Sequence, residues 1–297
     1  IDKGRIYRVV YKGNNTSSTK LAKANGSDLV AALSSDNGWV RDTAQRLLIE
    51  SKDDVNYKLA NLAKEGNHAL GRVHALWSLE GRAAISPDII LDALKDVDRS
   101  VRMSAARLAE PWLKVTGSDA ILDQLILNTR TDDITELRQM VLSLGAQKNI
   151  LSHMAIRSVL YNHAEKPHIL DAALSGLAGQ ELEFLELLLG EKRWHNAKNR
   201  SNVIEALADC IFKEGRPSRV GNLVYYTYGR RTQDWQRISI LRGIDRNSSK
   251  GKPVYYDKKP SMLGKLQKSK YPEEAKLAKS IDKLFLWKGK PGVKPLP

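Results

Sequence analysis

The sequence predicts an all-α chain, an α-solenoid of HEAT-like helical hairpins, and three observations lead there. Apolar residues recur at helical spacing in one segment after another, as in Ile89, Ile90, Ala93 and Leu94 or Ile121, Leu122, Leu125 and Ile126. Four segments share one pattern, an Asx residue, then an apolar or small residue followed by Arg, then a small or apolar residue three further on. The only run that reads as a strand is Arg5-Ile6-Tyr7-Arg8-Val9-Val10-Tyr11, before the helical pattern begins.

The four repeated segments begin near Asp36-Asn37, Asn67, Asp98 and Asp133, and their arginines are Arg41, Arg72, Arg102 and Arg138. The steps between these arginines are 31, 30 and 36 residues, the length of a helical hairpin somewhat shorter than a typical HEAT unit. Each segment follows a helical stretch of its own, at Asp28 to Leu33, Val55 to Ala63, Asp88 to Leu94 and Asp119 to Leu127. The Asx residue is suited to cap the second helix, because its side-chain oxygen accepts N–H groups that have no partner inside the helix. Asp133 and Glu136 have the spacing of a capping box. A single hairpin cannot bury its apolar face, so neighbouring hairpins are expected to stack into one core.

Further along, His168 to Leu177 and Glu181 to Leu189 read as a fifth pair, and Asn202 to Phe212 opens a sixth. Gly229 to Lys270 reads as irregular and basic, with a break at Gly251-Lys252-Pro253. Pro272 to Leu286 reads as a final amphipathic helix, with proline in its first turn. The domain expectation is therefore a strand remnant of a preceding domain at 1–13, HEAT-like repeats at 14–190, further helices with a basic irregular insertion at 191–286, and an exit linker at 287–297.

The stretches Asn37-Gly38-Trp39-Val40-Arg41-Asp42-Thr43-Ala44-Gln45-Arg46-Leu47-Leu48 and Gly71-Arg72-Val73-His74-Ala75-Leu76-Trp77-Ser78-Leu79-Glu80-Gly81 carry a family likeness. They resemble the middle region of planctomycete and verrucomicrobial haem-binding proteins, which are similar to sorbosone-type membrane-bound dehydrogenases. In that family a β-propeller precedes the HEAT-like region, and a cytochrome c domain with a CxxCH motif follows it. Gly4 to Val9 resembles the strand that closes the propeller, and Leu286 to Gly292 the segment that leads to the cytochrome. The resemblance implies a non-catalytic scaffold that holds those two domains in a periplasmic or cell-envelope protein. Haem c and a quinone cofactor would then belong to the flanking domains. The single cysteine, Cys210, rules out a CxxCH motif within these residues.

No catalytic constellation emerges. There is no G-x-S-x-G, no P-loop and no dinucleotide fingerprint, and the six histidines form neither HExxH nor a Cys/His spacing. Cys210 reads as a small core residue, and His74 as a hydrogen-bonded structural histidine. The expectation is therefore no enzyme, no metal and no cofactor in this chain, and no window is apolar enough for a membrane span. Arg41, Arg72, Arg102 and Arg138 read as stacking residues, each bonding an Asp or a carbonyl of the adjacent repeat. Trp39 and Trp77 read as core or inter-repeat packing.

Charge is the one anomaly. Residues 1–190 carry 23 Lys+Arg against 24 Asp+Glu, whereas residues 191–297 carry 25 against 10, a net of +15. Solubility needs net charge but has no need to segregate it, whereas a local potential steers an anionic partner. The candidate docking surface is Arg230, Arg231, Arg237, Lys258, Lys259, Lys265 and Lys268, among interleaved tyrosines. Its expected partner is a neighbouring domain or an acidic protein. The alternative reading is a basic HEAT-like solenoid that grips nucleic acid or another polyanion.

Overall fold

A computed structural model describes residues 21–114, 119–229 and 232–291. The strand expected at Ile6 to Tyr11 lies outside the described residues. The structure is 69% helical, with 17 α-helices among the described residues, as the sequence led one to expect. The chain divides into two compact units, Ile1–Ile89 and Ile90–Pro297.

The first unit holds α1 (Gly26–Ala32), α2 (Gly38–Glu50), α3 (Asn56–Glu65) and α4 (Ala69–Gly81), and α5 (Pro87–Leu94) crosses the junction. α1 packs on α2, α3 on α4, and α2 on α4 across one repeat. Asn37 caps α2 by accepting from the Trp39 N–H at 3.0 Å. On α2 the residues Val40, Ala44 and Leu48 form the buried row, and this row decides the place of Trp39. Trp39 lies off the row on the first turn and is 65% exposed, so the expectation that it packs in the core is corrected. Trp77 is half-buried on α4.

The repeat arginines have a second role beside the one expected. Side chains on a helix lean towards its N-terminus, so a long side chain four residues after the cap reaches back to the preceding turn. Arg41 donates to the Ser35 carbonyl at 2.7 Å and to that of Asp36 at 3.1 Å. Arg72 donates to the Gly66 carbonyl at 2.6 Å, and Arg102 to those of Asp96 at 2.7 Å and Val97 at 2.9 Å. Each thus closes the turn of its own hairpin. Arg102 also reaches the next repeat, as expected, since it forks onto Glu136 at 2.6 and 2.8 Å. Arg138 follows its cap, Asp133, by five residues, and the inward fourth position belongs to the fully buried Leu137. One residue is a rotation of about 100° on a helix, so Arg138 points outward and is exposed.

One tie between hairpins in the first unit comes from Arg82, at the C-terminal cap of α4. Its guanidinium donates to the Asn56 side chain at 2.7 Å and to the carbonyls of Ser51 at 3.0 Å, Asp53 at 2.7 Å and Leu48. One side chain thereby satisfies carbonyls left open at the end of α2 and fixes the turn into α3.

The second unit continues with α6 (Arg99–Ala109), α7 (Asp119–Asn128), α8 (Ile134–Leu144), α9 (Ile150–His163) and α10 (Ile169–Gly176). Asp98 and Asp133 cap α6 and α8. At Asp133 only half of the expected capping box forms. Its carboxylate accepts from the Glu136 N–H at 2.9 Å, while the Glu136 side chain turns to Arg102 and Thr131. α6 packs on α8 and α8 on α10. The last contact is a backbone approach, because a Cβ added to Gly145 would run into Gly176.

Beyond these lie α11 (Glu181–Gly190), α12 (Lys192–His195), α13 (Ser201–Lys213), α14 (Pro217–Tyr226) and α15 (Asp234–Asp245). α10 pairs with α9, and α11 packs on α13, so the expected pairing of the 168–177 and 181–189 segments is one helix out of register. The stretch expected to be irregular holds α15, whose Ile240, Leu241 and Ile244 are fully buried against α13. Gly243 permits that approach, since an added Cβ would stand 2.6 Å from the Ala208 Cβ. The helix is hard to read because two polar residues, Gln236 and Ser239, also face the core.

The chain then forms β1 (Val254–Tyr256), α16 (Ser261–Leu266), α17 (Pro272–Ser280) and β2 (Phe285–Trp287). β1 and β2 pair in parallel, with Val254 opposite Phe285 and Tyr256 opposite Trp287. The single helix expected from Pro272 to Leu286 is therefore corrected: α17 ends at Ser280, a 3-10 turn spans Ile281–Leu284, and a strand follows. The cause is Phe285, which is fully buried 5.9 Å from the Phe212 ring and stacked 6.1 Å from Tyr256. A second cause is Lys290, which donates to the Asp282 and Phe285 carbonyls at 2.6 and 2.8 Å.

Candidate functional site

The basic third of the chain has two chemistries. Residues 191–249 hold nine Arg and three Lys, and residues 250–291 hold twelve Lys and no Arg against four acidic residues. The structure uses the two types differently.

Every described arginine of the first stretch has a partner. Arg200 pairs with Glu165 at 2.7 Å and donates to the Tyr161 carbonyl at 2.8 Å, which binds the start of α13 to the end of α9. Arg219 bridges Glu183 at 2.6 Å and Glu214 at 2.8 Å. Arg242 meets Glu273 at 2.6 Å, Arg246 meets Glu205 at 2.7 Å, and Arg216 stands 3.6 Å from Glu214. Arg193 lies over the Tyr161 ring at 3.7 Å. Arg237, from the expected docking surface, pairs with Asp234 one turn back on α15, so its charge is already balanced. Arg230 and Arg231 lie outside the described residues.

Apart from Lys290, the described lysines of the second stretch are left to solvent. Lys258 and Lys259 lead into α16, Lys265 stands on its last turn, and Lys268 follows it, and all four are exposed. The fold thus gathers these four expected residues around one six-residue helix, with an aromatic ring towards each end. The Lys259 ammonium lies 5.3 Å from the Trp287 ring centroid, which Lys290 also approaches at 4.4 Å. The Lys265 ammonium lies 5.1 Å from that of Tyr228. Such contacts attract the cation to the ring face and order a flexible side chain. Tyr228 belonged to the interleaved tyrosines seen in the sequence. Trp287 escaped notice, because only the parallel pairing of β1 and β2 brings it beside Lys259.

The other chemically loaded places are occupied by structure. Trp194 is buried, and the Trp235 indole N–H donates to the His195 carbonyl at 2.8 Å. His74 Nδ1 donates to Gln45 at 2.6 Å, and burial followed by the charge of Arg41 pushes its pKa down, which favours the neutral ring. Burial, then Glu181 and Asp209, push the Cys210 thiol up, so it stays protonated. The groove between α9 and α11 has Arg157 and Glu191 paired at 2.8 Å and Glu183 held by Arg219. No group of three or more His, Cys, Asp or Glu that could hold a metal occurs among the described residues.

Glu181 is a cost the fold carries. It is 7% exposed at the start of α11, and burial, then the Glu214 carboxylate, raise its pKa. The native state therefore keeps the proton to higher pH than the unfolded chain does. The corresponding stability is present below the unfolded carboxylate pKa and is lost as pH rises through the folded one. Glu181→Gln is expected to raise the thermal midpoint at pH 7 and to leave it unchanged at pH 4. Equal effects at both values would show that the carboxylate is not desolvated.

No family model and no curated protein matches this chain.

Proposed function

We propose that the chain is a non-catalytic helical-repeat scaffold, an α-solenoid of HEAT-like hairpins, which links a β-propeller dehydrogenase-like domain to a cytochrome c domain. The observation that carries the scaffold reading is the repeated construction of the second helices. α2, α4 and α6 each place an arginine four residues after the cap, and each guanidinium closes the turn of its own hairpin. Side chains some 26 to 39 residues apart then tie hairpin to hairpin, through Arg82 to Asn56, Arg102 to Glu136 and Arg200 to Tyr161. Such construction suits a rigid spacer, in which each repeat contacts its neighbours. The identity of the linked domains rests on the resemblance of residues 37–81, and the envelope location rests on it as well.

The test is the gene around this segment. Propeller repeats encoded before Ile1 and a CxxCH motif encoded after Pro297 are the expected result. Flanks that encode neither would overturn the linking role. The purified segment is expected to show no Soret absorbance, and one equivalent of haem would overturn the non-catalytic reading.

A further inference from the structure

We propose that the lysine platform around α16 docks an acidic polypeptide, a run of Asp and Glu side chains on a partner or neighbouring domain. The inference draws on the scaffold reading for its use, while its chemistry stands on the platform's own residues.

Residues 250–291 carry a net charge of +8, twelve lysines against four acidic residues. Lys258, Lys259, Lys265 and Lys268 present this charge around α16, so an anion meets a concentrated positive potential there. Three kinds of macromolecule carry the matching charge, and the side chains discriminate between them. Phosphate is best gripped by the planar fork of arginine. This stretch has none, and the described arginines before it are engaged within the fold. A single strand of nucleic acid also needs open ring faces on which bases stack. At Trp287 two ammonium groups already approach the ring, and at Tyr228 one does.

A lipid surface needs an exposed apolar stripe beside the charge. On α16 Leu263 and Leu266 are buried and Met262 is half-buried, and on α17 Ala278 is buried and Leu277 half-buried, so neither helix presents an exposed apolar stripe. What remains suits carboxylates. A lysine ammonium is a compact, hydrated point charge with three rotatable donors, so it accepts carboxylates at many angles. The rings hold Lys259 and Lys265 in place beforehand, which lowers the ordering cost of contact.

The test uses the full chain and fluorescein-labelled poly-L-glutamate, followed by anisotropy at low ionic strength and at about 0.15 M salt. Salt-sensitive binding is expected. The combined variant K258E/K259E/K265E/K268E should weaken it about tenfold or more at low salt. A control with the same change in net charge, K23E/K52E/K95E/K148E, alters exposed lysines elsewhere and should weaken it less than about threefold. Equal losses in the two variants would show attraction by net charge alone and overturn the platform. So would the absence of poly-L-glutamate binding. A 20-residue oligo-dT or vesicles containing phosphatidylglycerol, binding tenfold more tightly than poly-L-glutamate and lost in the platform variant, would overturn the choice of partner. None of these results depends on what flanks the segment, so the linking role and the platform fail separately.

Discussion

Replacing Arg102 with methionine is expected to destabilise the unit Ile90–Pro297 by about 3–5 kcal/mol, the range for removing one partner of a buried ion pair. Glu136 is 1% exposed, and its two oxygens accept from the Arg102 guanidinium at 2.6 and 2.8 Å. Methionine has a similar length and no donor, so it leaves the carboxylate desolvated with only the Thr131 hydroxyl at 3.0 Å. The same change frees the Asp96 and Val97 carbonyls from their clamp. Urea denaturation of the variant measures the loss. Glu136→Leu should cost less, since Arg102 retains its carbonyl partners and 22% side-chain exposure. The double variant R102M/E136L should recover much of the loss, because an apolar pair of matching volume leaves no orphaned charge. A loss below about 1 kcal/mol for Arg102→Met would mean that water reaches Glu136 and that the tie is a surface one.

Trp194→Ala is expected to cost about 3–5 kcal/mol, as large aromatic truncations in a core do. The indole is 1% exposed and meets the Tyr161 ring edge-on at 5.9 Å. Trp39→Ala is expected to fall within about 0.5 kcal/mol, because 65% of that residue already faces water. Thermal or urea unfolding of the two variants side by side gives the comparison. A large loss at Trp39 would place it in an interface.

That contrast departs at Trp39 from the reading the sequence invited, and the reason is specific. Trp39 stands in a motif that repeats, which suggests packing, while Trp194 is buried although Lys192, Arg193 and His195 flank it. Helical phase decides the first case, since Val40, Ala44 and Leu48 take the inward face of α2. Packing decides the second, since α12 folds back so that Gln236 of α15 reaches the Trp194 carbonyl at 3.4 Å. Arg138 fails for the same kind of reason. A pattern that counts residues loosely cannot see a shift of one, yet one residue turns a side chain from the core to solvent.

Among the described residues the sequence by itself determined the all-α class and most of the first four hairpins. It also determined the caps at Asn37, Asp98 and Asp133 and the segregation of charge. All of these are local properties, set by apolar spacing, by a side chain bonding its own turn, or by counting. What only the tertiary structure decided depends on residues distant in the chain. The buried polar face of α15 is one case, and the end of α17 is another, because Phe285 is drawn against Phe212 and Tyr256. The exchange of roles between arginine and lysine is a third. A guanidinium fork binds backbone carbonyls and carboxylates some 29 to 41 residues away, so most described arginines of the basic third are spent inside the fold. The ammonium groups around α16, better hydrated and without such partners, remain at the surface.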